Sequence, residues 1–198
     1  MEIPILEINK FWDWFVDSIN ETKKCFEDSG FINSLDKRIS KIGNISWELG
    51  PGLRKLENNA LVFSLNGDND LLGLTSMIVN MAPFCKGWEF YPAKPPKKWQ
   101  MRFSMEDDRG KTYEIDAANW KYVLLKYRDD TFNIVIRMPD LGQLPEGLKY
   151  TAAEILLDGE LGEEERIKRI IEIEIVDEFD DLLKSKTSSM KDFRQHYY

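Results

Sequence analysis

Residues 120–138 read WKYVLLKYRDDTFNIVIRM. On an extended chain Trp120, Tyr122 and Leu124 share one face, and Val123, Leu125 and Tyr127 share the other. Asp129-Asp130 can turn the chain, after which Phe132, Ile134, Ile136 and Met138 alternate again. Two strands joined by so short a turn form an antiparallel hairpin. Downstream, Ala152, Ile155 and Leu156 carry helical spacing within 149–158, Gly159 and Gly162 interrupt it, and a further helical turn runs from Glu163 to Arg169. Ile171, Ile173 and Ile175 then alternate with Glu172 and Glu174, the pattern of a strand with one apolar face. The order strand, strand, helix, strand thus spans residues 119–177.

Upstream the same order is written across 44–92. Ile45, Trp47 and Leu49 alternate, Gly50-Pro51-Gly52 must leave regular structure, and Leu61, Phe63 and Leu65 alternate once more. Asn66-Gly67-Asp68 turns the chain into a helix carrying Leu71, Leu74, Ile78 and Met81, which Pro83 closes. Trp88-Glu89-Phe90-Tyr91 is the third strand. The two units share element order and no obvious residue identity, so duplication and coincidence both stay open.

Pro92, Pro95 and Pro96 stiffen the connection to a further hairpin. Its arms carry Met101, Phe103 and Met105 against Tyr113 and Ile115, and it turns through Asp107 to Gly110. At the N-terminus, Phe11, Trp12, Phe15, Ile19 and Phe26 predict an amphipathic helix over 9–28, with Asn9 as its cap. Phe31, Leu35 and Ile39 predict a second helix ending at Gly43. The expected fold class is α+β: a mostly antiparallel sheet of about eight strands in two ββαβ units, with the two N-terminal helices packed on it. The expected organisation is a helical pair (1–43), a first unit (44–97), a hairpin (98–118), a second unit (119–181) and a loosely held tail (182–198). Residues 44–181 are expected to form one compact domain with the helices. Its core should hold Phe11, Phe15, Leu61, Phe63, Ile78, Trp88, Ile134 and Ile173.

A chain of 198 residues, 42% hydrophobic and 31% charged, has the make-up of a globular protein. No apolar run approaches the roughly 18–20 residues of a membrane span, and the N-terminus lacks a signal-peptide pattern. Cys25 and Cys85 show no disulfide framework. These features predict a cytoplasmic protein with no membrane partner. The net charge of −8 disfavours nucleic acid, whose capture needs clustered cations. Acidic side chains dominate 139–181, where only Lys149, Arg166, Lys168 and Arg169 oppose them. The balance reverses over 86–102, with Lys86, Lys94, Lys97, Lys98 and Arg102 against Glu89.

Nothing in the sequence assembles a catalytic or cofactor site. His196 is the only histidine, neither cysteine has a partnered base, and neither glycine loop has phosphate-loop spacing. No catalytic, cofactor-binding or metal-ligating residue is therefore assigned, and no cofactor is expected. Three surface readings remain. Glu172, Glu174, Asp177 and Glu178 can form an acidic face for a basic protein partner. Trp88, Tyr91, Lys94, Lys97, Lys98 and Trp99 form a weaker aromatic–basic segment that could bind a partner by stacking and charge. Carboxylates among 158–174 could converge on Mg²⁺ or Ca²⁺.

Phe11-Trp12-Asp13-Trp14-Phe15, Trp47-Glu48-Leu49-Gly50-Pro51, Asn66-Gly67-Asp68, Ala82-Pro83 and Gly87-Trp88-Glu89-Phe90 occur in that order. They are followed by Leu156-Leu157-Asp158 through Leu161-Gly162-Glu163. In this order the chain resembles a family of bacterial domains of unknown function, over most of residues 10–177. The resemblance implies no activity and carries over no functional residue; by analogy, acidic bacterial domains of this kind are associated with toxin-neutralising immunity proteins. The expected function is a cytoplasmic, non-enzymatic interaction protein that neutralises a basic partner, such as a toxin, through its acidic face. A carboxylate-dependent divalent-metal enzyme and a small-ligand module with an aromatic pocket stand as alternatives, and homo-oligomerisation is open.

Overall fold

The structure is a computed structural model that describes residues 4–21, 28–139, 141 and 144–198. The chain divides into two compact units, Met1–Lys94 and Pro95–Tyr198. The N-terminal helices belong to the first unit, and the central hairpin and the tail to the second, so residues 44–181 are shared between the two units. The boundary falls in the proline-rich connection, where Pro95 and Pro96 supply no backbone N–H to carry a sheet onward.

In the first unit the order is α1 (Ile5–Glu21), α2 (Ser29–Ile42), β1 (Ser46–Pro51), β2 (Asn59–Ser64), α3 (Leu71–Asn80) and β3 (Trp88–Tyr91). Helix α1 starts before Asn9, the expected cap, because Pro4 opens the first turn and its carbonyl accepts from Glu7 N and Ile8 N. Asp28, expected as the last residue of the first helix, instead caps α2 by accepting from Gly30 N and Phe31 N. Strands β1 and β2 pair antiparallel, and β2 and β3 pair parallel around the α3 crossover. Phe11, Phe15, Leu61, Phe63 and Ile78 are buried together. Trp88 and Phe90 are half-buried on the same cluster, edge-on to Phe15. Trp12 Nε1 donates to Ile78 O at 2.8 Å, tying α1 to α3.

The second unit runs β4 (Arg102–Glu106), β5 (Thr112–Asp116), β6 (Lys121–Lys126), β7 (Phe132–Arg137), α4 (Glu146–Leu161), α5 (Glu163–Arg169) and β8 (Ile170–Val176). It closes with α6 (Asp181–Lys184), β9 (Ser188–Ser189) and α7 (Phe193–Tyr197). Strands β6 and β7 pair antiparallel, and β7 and β8 parallel, repeating the hand-over of the first unit. The sheets nevertheless stay small, with three, two and four strands, rather than merging into one sheet of eight. Each strand–strand–helix–strand unit buries its apolar face within its own cluster, which leaves no reason to extend the ladder.

Residues 182–198 are held, not loose. Strand β9 pairs with β6, and Met190 N donates to Trp120 O at 3.0 Å. Met190, Phe193 and Tyr197 are buried against Tyr122, Phe132 and Ile134. Their spacing of three and four is a helical stripe within an otherwise polar segment.

Candidate functional site

Alternation along β6, β7 and β8 gives the second sheet an inner face and an outer one. Tyr122, Ile134 and Ile136 point inward with Ile173 and Ile175, against α4 and α7. On the outer face Val123 lies opposite Val135, and Val135 opposite Glu174; Leu125 lies opposite Asn133, and Asn133 opposite Glu172. After β8 the chain folds back over this face, with Phe179 buried on Val123 and Val135. The outer face therefore gathers Glu172, Glu174, Asp177 and Glu178, all exposed, with Asp180 and Asp181 beside them.

These carboxylates are not equivalent. Glu172 Oε2 accepts from Asn133 Nδ2 at 2.6 Å. Arg137 donates through Nε to the Asp177 carbonyl at 2.9 Å and through Nη2 to Glu178 at 2.8 Å. Asp180 caps α6 by accepting from Leu183 N, and Asp181 pairs with Lys184 at 2.7 Å. Among the described residues, the side chains of Glu174 and Asp177 stand clear of such partners. A bulge modifies the expected apolar stripe: Phe132 pairs with Ile170 and Asn133 with Glu172, so Ile171 is left over. Ile171 is consequently 65% exposed, not in the core, and Ile173 is half-buried.

The aromatic–basic segment is split by the unit boundary. In the first unit Trp88 packs half-buried against the apolar cluster, Tyr91 Oη donates to Glu89 at 2.6 Å, and Lys94 pairs with Glu48 at 2.8 Å. In the second, Trp99 stacks on Phe103 with ring centroids 5.8 Å apart and donates from Nε1 to Glu160 at 2.7 Å. Lys97 Nζ lies over the Trp99 ring at 5.7 Å, and Lys98 is exposed. All three rings serve contacts inside their own unit.

Two polar clusters had no strong sequence signal. Glu89, read only as a strand residue, is buried and accepts from the backbone N–H groups of Leu53, Arg54 and Lys55 at 2.9–3.0 Å. Asn58 Nδ2 adds a fourth donor and Tyr91 Oη a fifth. The Tyr91 hydroxyl first, and then the loop N–H groups, pull the Glu89 carboxyl down to about 2. Burial and the adjacent carboxylate push Tyr91 up to about 12. In the second unit Glu160 accepts from Trp99 Nε1 and Arg194 Nε, while Arg166 binds Asp158 and Glu154. Gly159 leaves room for the Trp99 ring in this second cluster: a Cβ there would lie 2.2 Å from Trp99 Cζ2.

Cys85 is buried, and burial pushes its thiol up, which disfavours nucleophilic use. Cys25 lies outside the described residues. His196 sits on α7 with Nδ1 2.7 Å from Tyr122 Oη. Among the described residues no three His, Cys, Asp or Glu side chains gather to hold a metal ion, and no helix is long and apolar enough to cross a membrane. Of the carboxylates among 158–174 expected to be able to converge on a cation, Asp158 and Glu160 face Arg166 and Arg194 instead. No protein family, curated protein or solved structure matches the chain at a significant level.

Proposed function

We propose that this chain is a non-enzymatic interaction protein of bacterial type, working in the cytoplasm, that captures a basic protein partner through the outer face of its second unit. One observation carries the reading: Glu172 and Glu174 on β8, and Asp177, Glu178, Asp180 and Asp181 in the segment whose Phe179 packs on Val123 and Val135, are all exposed. Exposed Ile171 and Leu182 give that face apolar contact area within the charge. A field of one sign raises the encounter rate with an opposite surface, and a rigid sheet presents it without an ordering cost. Neutralising a toxin is a task of this kind, since blocking a basic surface needs binding alone.

The test is a pull-down with mass spectrometry, followed by association kinetics against the recovered protein. The on-rate should fall as salt rises through the physiological range, where the screening length shortens to about 8 Å. A salt-independent on-rate would overturn the electrostatic reading.

A further inference from the structure

The first unit carries a surface of the opposite kind. Pairing places the end of β1 and the starts of β2 and β3 together, since Pro51 faces Asn59 and Asn59 faces Trp88. The β1–β2 loop (residues 52–58) and the α3–β3 loop (residues 81–87) therefore emerge side by side, joined by Asn59 N donating to Gly87 O at 2.8 Å. At this rim Phe84 is 93% exposed, Leu56 82% and Leu53 51%. Arg54, Lys55 and Lys86 are exposed among them, against Glu57. Isolated apolar residues on a surface are ordinary; three large ones on two adjoining loops form a patch.

The β1–β2 loop is also rigid before any partner arrives. Glu89 fixes three successive backbone N–H groups of 53–55, and Gly52 N donates to Asn58 O at 2.6 Å. A Cβ at Gly52 would lie 2.2 Å from Lys55 O and 2.8 Å from Glu89 Oε1, so the loop closes too tightly for any other residue. A basic, apolar and pre-organised rim fits a surface that is acidic and apolar. The chain itself presents one: Glu174, Asp177 and Asp181 with Ile171 and Leu182.

We propose that the basic rim of the first unit docks on the acidic outer face of the second unit of another copy of this chain. The inference rests on the reading of the acidic face as an interface. It adds that self-association occupies that face until a basic partner displaces the second copy. A reciprocal pair closes the contact as a dimer, and a one-way contact grows into a chain of copies.

Light scattering after size exclusion, on the full chain over a concentration series, measures the self-association. Wild type should associate at low salt and dissociate as salt rises. The rim variant R54E/K55E/K86E and the face variant E174K/D177K/D181K should each raise the dissociation constant roughly tenfold or more. Leu56→Ser with Phe84→Ser should do the same without changing charge. Mixing the two charge-reversed variants should restore association, because the reversed rim then meets the reversed face. Thermal melts confirm that each variant is folded. A wild type that stays monomeric, or association that neither reversal weakens, would overturn the proposal. So would binding of the monomer to phosphatidylserine vesicles lost in Phe84→Ser, which would assign the rim to a lipid surface. Capture of a basic partner by the rim variant is scored separately: if it persists while self-association is absent in wild type, only the second-copy inference falls. If both are absent, the acidic-face reading falls with it.

Discussion

In the first unit the buried carboxylate of Glu89 is surrounded by neutral donors, whereas in the second unit buried Glu160 and Arg166 meet opposite charges. The backbone order around them is the same: an antiparallel pair, a helical crossover, a parallel third strand. The difference follows from what each charge holds. Glu89 organises a loop, so its partners are backbone N–H groups of consecutive residues. Glu160 organises side chains and termini, drawing Trp99 from the segment before β4 and Arg194 from the last helix. Shared topology thus leaves the polar chemistry free to diverge.

Core truncation is the largest expected effect and tests whether the two apolar clusters are equally well packed. Phe63→Ala in the first unit should cost about 3–5 kcal/mol and Ile134→Ala in the second about 2–5 kcal/mol by chemical denaturation. Both side chains are fully buried, in separate clusters. A loss below about 1 kcal/mol at either site would mean that its cluster can collapse around the void.

Next comes Arg166→Met. It leaves Asp158 and Glu154 without their cation and should cost about 3 kcal/mol, most of it from the partly buried Asp158 carboxylate. The matching change in the first unit, Glu89→Gln, acts through pH. A carboxyl held near 2 in the fold and at the ordinary carboxylate value in the unfolded chain stabilises the fold above that ordinary value. The stabilisation is lost as pH falls from about 4.5 toward 2. Wild type should therefore lose melting temperature steeply in that window, and Glu89→Gln should start lower at neutral pH with a shallower acid slope. Parallel acid slopes for the two proteins would remove Glu89 from acid stability.

The strands and their inward faces were legible because a sheet with one buried face must alternate. Ile134, Ile136, Leu61 and Phe63 declare their positions within their own segments. The role of Glu89 could not be read that way. Three of its five donors are backbone N–H groups 34–36 residues earlier, with no side-chain signature. Ile171 followed the alternation and still emerged, since one extra residue at a bulge reverses which side a side chain takes. The tail was legible and missed: Met190, Phe193 and Tyr197 form a stripe too short to stand out beside its polar neighbours. The acidic face was legible as composition, but its internal pairing was not. Arg137 comes from a strand some forty residues before Glu178 and looks, in sequence, like an ordinary edge cation.

That pairing sharpens the smallest expected effect on stability, which is also the most informative for function. Lysine replacements at Glu172, Glu174 and Glu178 should slow association with a basic partner markedly, because each reverses a charge on the encounter surface. Their costs to the fold should differ. Glu174→Lys disturbs no partner among the described residues and should stay within about 0.5 kcal/mol. Glu172→Lys loses the bond to Asn133, and Glu178→Lys sets a lysine beside Arg137, in place of an exposed ion pair. Exposed pairs contribute about 0–1 kcal/mol, so these two should also melt close to wild type. Single variants measured in parallel separate the effects. If Glu174→Lys alone slows association while its melt is unchanged, the face acts through its field. If only Glu178→Lys slows it, the active element is the Arg137-held segment around Phe179, and the strand carboxylates merely keep the β8 edge from pairing with other chains.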